Sequence, residues 1–124
     1  MNKILVLQTS TNGSVIFTSM LGALELPEEM FEIFSSPEKC LEQIKHGQPQ
    51  TLILGTFNDS AQRASEFVAV ARMKNPDLYV VSHASRQDIR IRGCDADIPK
   101  DEMAEYKTRF QQAIDQHKLR TAQA

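Results

Sequence analysis

The chain has 124 residues, 41% apolar and 24% charged, and its 14 basic and 16 acidic side chains leave a formal charge of -2. This composition is typical of a single globular domain, here residues 1–120, followed by a polar tail at residues 121–124. No apolar run is long enough for a signal peptide or a membrane span, and no basic field favours nucleic acid. We therefore expect a cytoplasmic protein with neither nucleic-acid nor membrane partners.

Short apolar runs alternate with segments of helical period along the first half of the chain. The run from Ile4 to Leu7 predicts a first, central strand, followed by a hydroxyl-rich loop. From about Ser14 to Leu26 the spacing predicts a helix that Pro27 stops. Its buried face is expected to comprise Val15, Ile16, Met20, Leu21 and Leu24. Alternation from Met30 to Phe34 predicts a strand nearer the sheet edge.

The second half continues this alternation. Ser36 before Pro37 predicts the start of a second helix, and strands are expected at residues 51–54, 78–81 and 96–98. A third helix is expected to bury Ala64, Phe67, Val68, Ala71 and Met73. A last helix, from about Glu102 to Lys118, is expected to bury Met103, Tyr106, Phe110 and Ile114. Residues 86–92 are too few and too polar for more than one helical turn.

Five alternations of strand and helix in a chain of this length predict a doubly wound, flavodoxin-like α/β fold. Its five-stranded parallel sheet would carry helices on both faces, with the fourth helix shortened or missing. In such folds the functional groups gather at the carboxyl ends of the strands. The residues that follow each strand are therefore the first candidates for a site.

The segment from Gly93 to Lys100 resembles the signature that leads into the fifth strand of bacterial response-regulator receiver domains. Weaker matches at Lys3 to Val6, Ser36 to Glu42 and Asn75 to Asp77 extend the resemblance over nearly the whole chain. Receivers hold Mg²⁺ with an acidic pair after strand one and take a phosphoryl group on an aspartate after strand three. A hydroxyl after strand four and a lysine after strand five complete their site.

The positions that the resemblance assigns to this site are degenerate. The acidic pair falls on Gln8 and Thr9, the phosphoacceptor on Gly55 and the hydroxyl on Ala84, so only Lys100 remains. Magnesium requires hard oxygen ligands, commonly carboxylates, which these positions lack. We therefore predict a pseudo-receiver that is not an enzyme and binds no metal or cofactor. The resemblance implies signal transduction through phosphorylation-independent contacts with another protein or with a second copy.

A contact surface is suggested by the segment in place of the fourth helix. It combines arginines with apolar side chains, as protein interfaces do. Its residues are Arg86, Ile89, Arg90, Ile91 and Arg92. The same composition also fits a solvated loop with the isoleucines turned inward.

The loop after strand one supports an alternative of another class. Hydroxyls and backbone amides before a helix N-terminus suit an anion, so the chain can also be interpreted as a small flavodoxin-like protein that binds a ligand or phosphate. This loop comprises Thr9, Ser10, Thr11, Asn12, Gly13 and Ser14. It resembles the loop of phosphotransferase-system B components, which carry the phosphoryl group on a cysteine where this chain has Gln8.

The cysteines and histidines show no metal-binding spacing. Cys40 and Cys94 are expected to be reduced, structural thiols. His83 is expected to be a hydrogen-bonded, partly buried side chain, and His46 and His117 are expected at helix ends or on exposed faces. None of them is predicted to form a site.

Overall fold

The computed structural model describes residues 3–9, 11–55, 61–83, 93–98 and 103–122. Within these ranges the strands are β1 (Ile4–Leu7), β2 (Phe31–Phe34), β3 (Thr51–Leu54), β4 (Tyr79–Ser82) and β5 (Ala96–Asp97). The α-helices are α1 (Thr11–Ala23), α2 (Pro37–Glu42), α3 (Ala61–Lys74) and α4 (Met103–Ala122), and a single 3₁₀ turn spans Glu28–Met30. None of the helices in these ranges is long and apolar enough to cross a membrane.

The described strands form one parallel sheet in the order β2-β1-β3-β4-β5. This order is that of flavodoxin-like doubly wound folds, and it confirms the predicted fold class. The middle strand is β3 and not β1, because the chain crosses from β2 back over β1 to its other side. The predicted shortening of the fourth helix concerns residues outside the described ranges.

Helices cover both faces of the sheet, because successive strand residues point to opposite sides. On one face, Ile4, Val6 and Ile53 pack against Phe17 of α1 and Phe110 of α4. On the other face, the strand residues Leu5, Leu7, Leu52 and Leu54 pack against α2 and α3. The central strands β1 and β3 are therefore packed against helices on both faces of the sheet. Two-sided burial is what the unbroken apolar runs of β1 and β3 predict.

Two residues expected in the core are exposed instead. Val15 in α1 is 63% exposed, whereas Phe17 is 1% exposed and makes the central contact of that helix. Met73 in α3 is 81% exposed, whereas Ala71 is buried. Residues two apart on a helix are rotated by about 200°, so they cannot share a face. Once Phe17 and Ala71 point inward, Val15 and Met73 must point outward.

The first helix ends at Ala23, before the expected Leu26, and Pro27 does not stop it. Leu26 N–H donates to Leu21 O at 2.8 Å and Glu25 N–H donates to Gly22 O at 3.1 Å. This pair of bonds is a Schellman motif, whose left-handed position is Glu25 with φ of 57°. Leu21 and Leu26 are both buried beside the motif. The chain therefore turns into β2 through a backbone conformation that glycine adopts more easily.

Other element boundaries lie close to their expected places. Ser36 caps α2 by accepting from Lys39 N–H at 3.4 Å, with Pro37 at the first helical position as predicted. The last helix continues to Ala122, beyond the expected Lys118, and Thr121 Oγ1 donates to His117 O at 2.9 Å. Two residues of the expected polar tail thus belong to α4.

Candidate functional site

The residue after each strand continues the hydrogen bonding of the sheet, which fixes the carboxyl edge of the sheet. The bonds run from Gln8 N–H to Phe34 O at 2.8 Å, from Gly55 N–H to Leu7 O at 2.8 Å, and from His83 N–H to Leu54 O at 2.7 Å. Gln8, Gly55 and His83 therefore have defined backbone positions. At this edge lie the positions that the sequence resemblance assigns to the receiver site.

Two of those positions, Gln8 and Gly55, are in direct contact. The Gln8 side chain is 2% exposed and lies over the Cα of Gly55. A Cβ built on Gly55 would overlap the Nε2, Cδ and Oε1 atoms of Gln8. Gly55 does not have a left-handed φ, so what disfavours a side chain here is this contact and not the backbone conformation. Gln8 thus fills the space where a residue after β3 would project a side chain.

His83 continues the closed edge on the α1 and α4 side. The ring is 3% exposed, with its centroid 6.2 Å from that of Phe17 and 5.6 Å from that of Phe110. The interplanar angles of 74° and 68° are edge-to-face arrangements, which aromatic rings prefer. His83 is more buried than the sequence indicated. It packs α1 and α4 against the end of β4.

The described residues that directly follow the strands carry no fixed charge, and Asp97 is the last residue of β5 itself. Gln8, Thr9, Gly55, His83 and Ile98 follow the strands, and none of them is a carboxylate or an amine. Among the described residues no three histidine, cysteine or acidic side chains cluster as a metal site would require. These groups offer neither the ligands that Mg²⁺ prefers nor a carboxylate to accept a phosphoryl group.

The hydroxyl-rich loop of the alternative interpretation is shorter than expected. Four of its residues, Thr11 to Ser14, form the first turn of α1, and only Gln8 and Thr9 connect β1 to the undescribed Ser10. Thr9 is partly exposed beside the edge. The side chains of Thr11, Asn12, Gly13 and Ser14 are outside the described part of the chain. Anion binding there stays a prediction.

Several predicted site residues lie outside the described ranges. They are Ala84, Lys100 and the contact segment Arg86, Ile89, Arg90, Ile91 and Arg92. Their assignments remain predictions from the sequence.

The segment that carries the receiver resemblance has a structural role where it is described. Gly93 has a φ of 87°, a conformation that favours glycine. The Asp95 carboxylate accepts from Val80 N–H and from Arg72, both at 2.8 Å. Arg72 also donates to Gly93 O at 2.6 Å and to Leu78 O at 2.8 Å. This Arg72–Asp95 clasp joins α3 to the start of β4 and to the turn before β5.

A second polar cluster lies at the opposite, amino edge of the sheet. Gln50 Oε1 accepts from Lys45 N–H at 2.7 Å, and Gln50 Nε2 donates to Gln43 O at 2.7 Å. Asn75, which is fully buried, donates to Gln48 O at 2.8 Å and accepts from Asp77 N–H at 3.2 Å. These bonds fix the turns before β3 and β4.

His117 belongs to this edge, and its expected exposure is wrong. The side chain is 0% exposed, and its Nδ1 lies 2.9 Å from Thr51 Oγ1 at the start of β3. Its position on α4, one turn after Ile114 and Ala113, gives it the buried face. His46 is exposed, as expected.

Both cysteines are free thiols of low reactivity. Burial, aided by the charge of Glu32, raises the pKa of Cys40 to about 12. Burial and the nearby Asp97 raise the pKa of Cys94 to about 12, against the opposing effect of Arg72. The thiolate is the reactive form, so neither side chain is activated as a nucleophile.

No family model and no curated protein matches the chain, but solved structures share its fold. An adenylate cyclase structure from Rhodopirellula baltica has a TM-score of 0.67 at 16% identity, over 99% of this chain and 95% of that one. A CpaE2 pilus assembly protein from Sinorhizobium meliloti 1021 has a TM-score of 0.61 at 11% identity, over 93% of this chain and 98% of that one.

A 3-dehydroquinate dehydratase-like protein from Bifidobacterium longum is also similar. Its TM-score is 0.51 at 11% identity, over 96% of this chain and 98% of that one. Identities this low establish a shared flavodoxin-like fold and nothing about activity. Since one fold hosts many functions, the function has to be argued from the site.

Proposed function

We propose that the chain is a receiver-like domain without phosphorylation chemistry, which acts in signal transduction by binding another protein. Under this proposal it is not an enzyme and works without metal or cofactor. A signalling role comes from the resemblance of the Gly93 to Lys100 segment to receivers. Loss of the chemistry comes from the residues at the carboxyl edge.

The contact between Gln8 and Gly55 is the observation that carries this proposal. An active receiver needs an open, acidic cavity at these two positions. Here a buried, neutral amide occupies that volume, and Gly55 has no side chain to accept a phosphoryl group. Restoring one aspartate at Gly55 would not reopen the cavity, because Gln8 would still fill it. Gln8 and Gly55 are compatible with each other, and neither suits the site that receivers use.

The Arg72–Asp95 clasp supports a scaffold that persists without the chemistry. Asp95 and Gly93 belong to the segment that resembles receivers, and their bonds to Arg72 and Val80 hold the edge strand β5 in place. These bonds require no phosphoryl group, so the segment has a role in a domain without phosphorylation chemistry. The different names of the structural neighbours add no competing activity, since they share only the fold.

Incubation with acetyl phosphate and Mg²⁺, followed by intact-mass measurement, tests the loss of phosphorylation. We expect no added phosphoryl group, while a receiver that carries the acidic pair and the aspartate becomes modified under the same conditions. A labile acyl phosphate on this chain would overturn the proposal. Peptide mapping would then locate the acceptor.

The partner contact proposed for the segment Arg86 to Arg92 requires its own test. Changing Arg90→Glu and Arg92→Glu together should abolish recovery of a partner from lysate of the source organism. A Lys39→Glu and Lys45→Glu double variant, at exposed positions in and just after α2, changes charge equally and should retain it. Equal recovery by the two variants would exclude the segment as the contact surface.

A further inference from the structure

Within the described part of the chain, the outer side of β2, which is a lateral edge of the sheet, pairs with no other strand. β2 pairs with β1 on one side and is the terminal strand on the other. Phe34 O accepts from Gln8 N–H, so the backbone groups of Phe34 and Glu32 face β1. Because backbone groups alternate in direction along a strand, the N–H and C=O of Ile33 face outward. An outward-facing pair of this kind can hydrogen bond to an added strand.

The surroundings of this edge are strongly acidic. Residues 4–38 contain five glutamates and no lysine, arginine or histidine, whereas the rest of the chain has more basic than acidic residues. The glutamates are Glu25, Glu28, Glu29, Glu32 and Glu38, and every one of them is exposed. Glu28 and Glu29 lie in the 3₁₀ turn before β2, Glu32 lies within β2, and Glu38 is in the first turn of α2. Glu28, Glu29 and Glu32 therefore place negative charge along the open edge.

Apolar side chains accompany this charge. Ile33 and Phe34 are partly buried, one packed against each core of the sheet. Their remaining exposed surface lies on either side of the strand. An added strand would meet apolar contacts on both faces and carboxylates along its length.

We propose that the β2 edge, defined as residues 28–34, binds an extended segment of a partner protein that alternates basic and apolar residues. The segment would add a strand beside β2, with backbone bonds to Ile33 and basic side chains toward Glu28, Glu29 and Glu32. This docking rests on the function proposed above only in that the chain acts by binding protein.

The charge of the edge favours this occupant over others. Two β2 edges paired with each other would place Glu32 and its neighbours against the same acidic residues, and like charges on adjacent strands repel. Nucleic acids and anionic membranes are repelled for the same reason. A basic extended segment has the opposite charge, and its backbone supplies hydrogen-bond partners for the outward-facing groups of Ile33.

A capped peptide of alternating valine and lysine is the probe for a titration followed by amide NMR shifts. We expect saturable shifts centred on residues 31–35, with an affinity that falls as salt rises. Glu32→Lys should weaken the binding by about tenfold or more. Glu66→Lys, an equal charge change at an exposed site on α3, should leave it unchanged.

Two further probes separate strand addition from simple charge attraction. The same peptide with N-methylated backbone amides should lose binding, because it can no longer donate to the edge. Ile33→Pro removes the outward N–H without touching the bonds to β1, and proline is tolerated on edge strands. If this variant does not fold, Glu28→Gln with Glu29→Gln tests the charge outside the strand. That variant should weaken the binding.

Several results would overturn the docking site. These are equal binding of the N-methylated peptide, shifts centred elsewhere, or no effect of Glu32→Lys. Concentration-dependent shifts at the β2 edge without peptide would assign the edge to a second copy instead. The acetyl phosphate experiment is independent of all these results. Phosphorylation with intact peptide binding would reject only the proposed function, and peptide failure without phosphorylation would reject only the docking site.

Discussion

The two ends of the sheet are closed in different ways. At the amino edge, Gln50 and Asn75 hold the turns before β3 and β4 through side-chain hydrogen bonds to backbone groups. At the carboxyl edge, Gln8 closes the sheet by filling the volume above Gly55, and His83 is packed between two aromatic rings. The amino end is marked by side-chain hydrogen bonds to the backbone of the turns, and the carboxyl end by close packing of Gln8 and His83.

This difference matters because the two ends of a doubly wound sheet usually have different roles. Doubly wound folds place their ligands at the carboxyl ends of the strands, so this end is the one that function keeps open. In this chain a buried amide and a glycine meet at that end, and an uncharged pair avoids the electrostatic cost of clustered carboxylates. The amino edge fixes the strand connections. Its polar groups are therefore expected to contribute more to stability.

Asn75→Ala is expected to have the largest effect on stability, because it removes side-chain hydrogen bonds that fix the turns at the amino edge. It removes the bonds to Gln48 O and from Asp77 N–H and leaves those backbone groups without the amide. We expect the free energy of unfolding to fall by about 2–4 kcal/mol, measured by urea denaturation. Gln48→Ala is the control, since it keeps the backbone carbonyl that Asn75 binds. An equal loss in this control would show that the network is not what stabilises the edge.

Asp95→Ala should have a smaller effect and tests the structural role of the receiver-like segment. It removes the acceptor for Val80 N–H and the ion pair with Arg72, which is partly exposed and therefore weak. A loss of about 1–2 kcal/mol is expected. Asp97→Ala, two residues along on the exposed side of β5, should change stability little. The reverse ranking of the two variants would contradict the clasp.

Glu25→Gly is expected to have the smallest effect, and it should stabilise the protein. Glu25 holds the left-handed position of the Schellman motif that ends α1, and glycine adopts this conformation without a Cβ penalty. We expect the free energy of unfolding to rise by about 0.5–1 kcal/mol. Glu25→Ala removes the same charge but keeps the Cβ, so it should bring no such gain. Equal gains in both variants would attribute the effect to charge.

Much of the fold follows from apolar periodicity alone. The runs at Ile4 to Leu7 and Thr51 to Leu54 are strands as predicted, and the buried face of α3 is correct except at Met73. The composition of Thr11 to Ser14 predicts a turn and a start of α1 near Ser14, whereas in the fold these residues form the helix's first turn. Helix propensity is a local property. It leaves out tertiary contacts such as those of the buried Phe17, which stabilise this helix.

The site was only partly predictable. The identities of Gln8 and Gly55 predict that receiver chemistry is absent, since an amide and a glycine cannot replace carboxylates, and this stays a prediction. Their contact was not predictable, because it joins residues on different strands through the register of the sheet. The burial of His117 against Thr51 was missed for the same reason. A histidine on the apolar stripe of a helix, one turn after Ile114, is a signal that could have indicated it.

A double-mutant cycle of Gly55→Ala and Gln8→Ala tests the closure of the carboxyl edge most directly. Gly55→Ala adds one methyl group that overlaps the Gln8 amide, so it should cost about 1–3 kcal/mol in the wild-type background. In the Gln8→Ala background the overlap is gone, and the cost should fall by about 1 kcal/mol or more. The same cost in both backgrounds would show that Gln8 does not fill the space above Gly55, and would contradict the account.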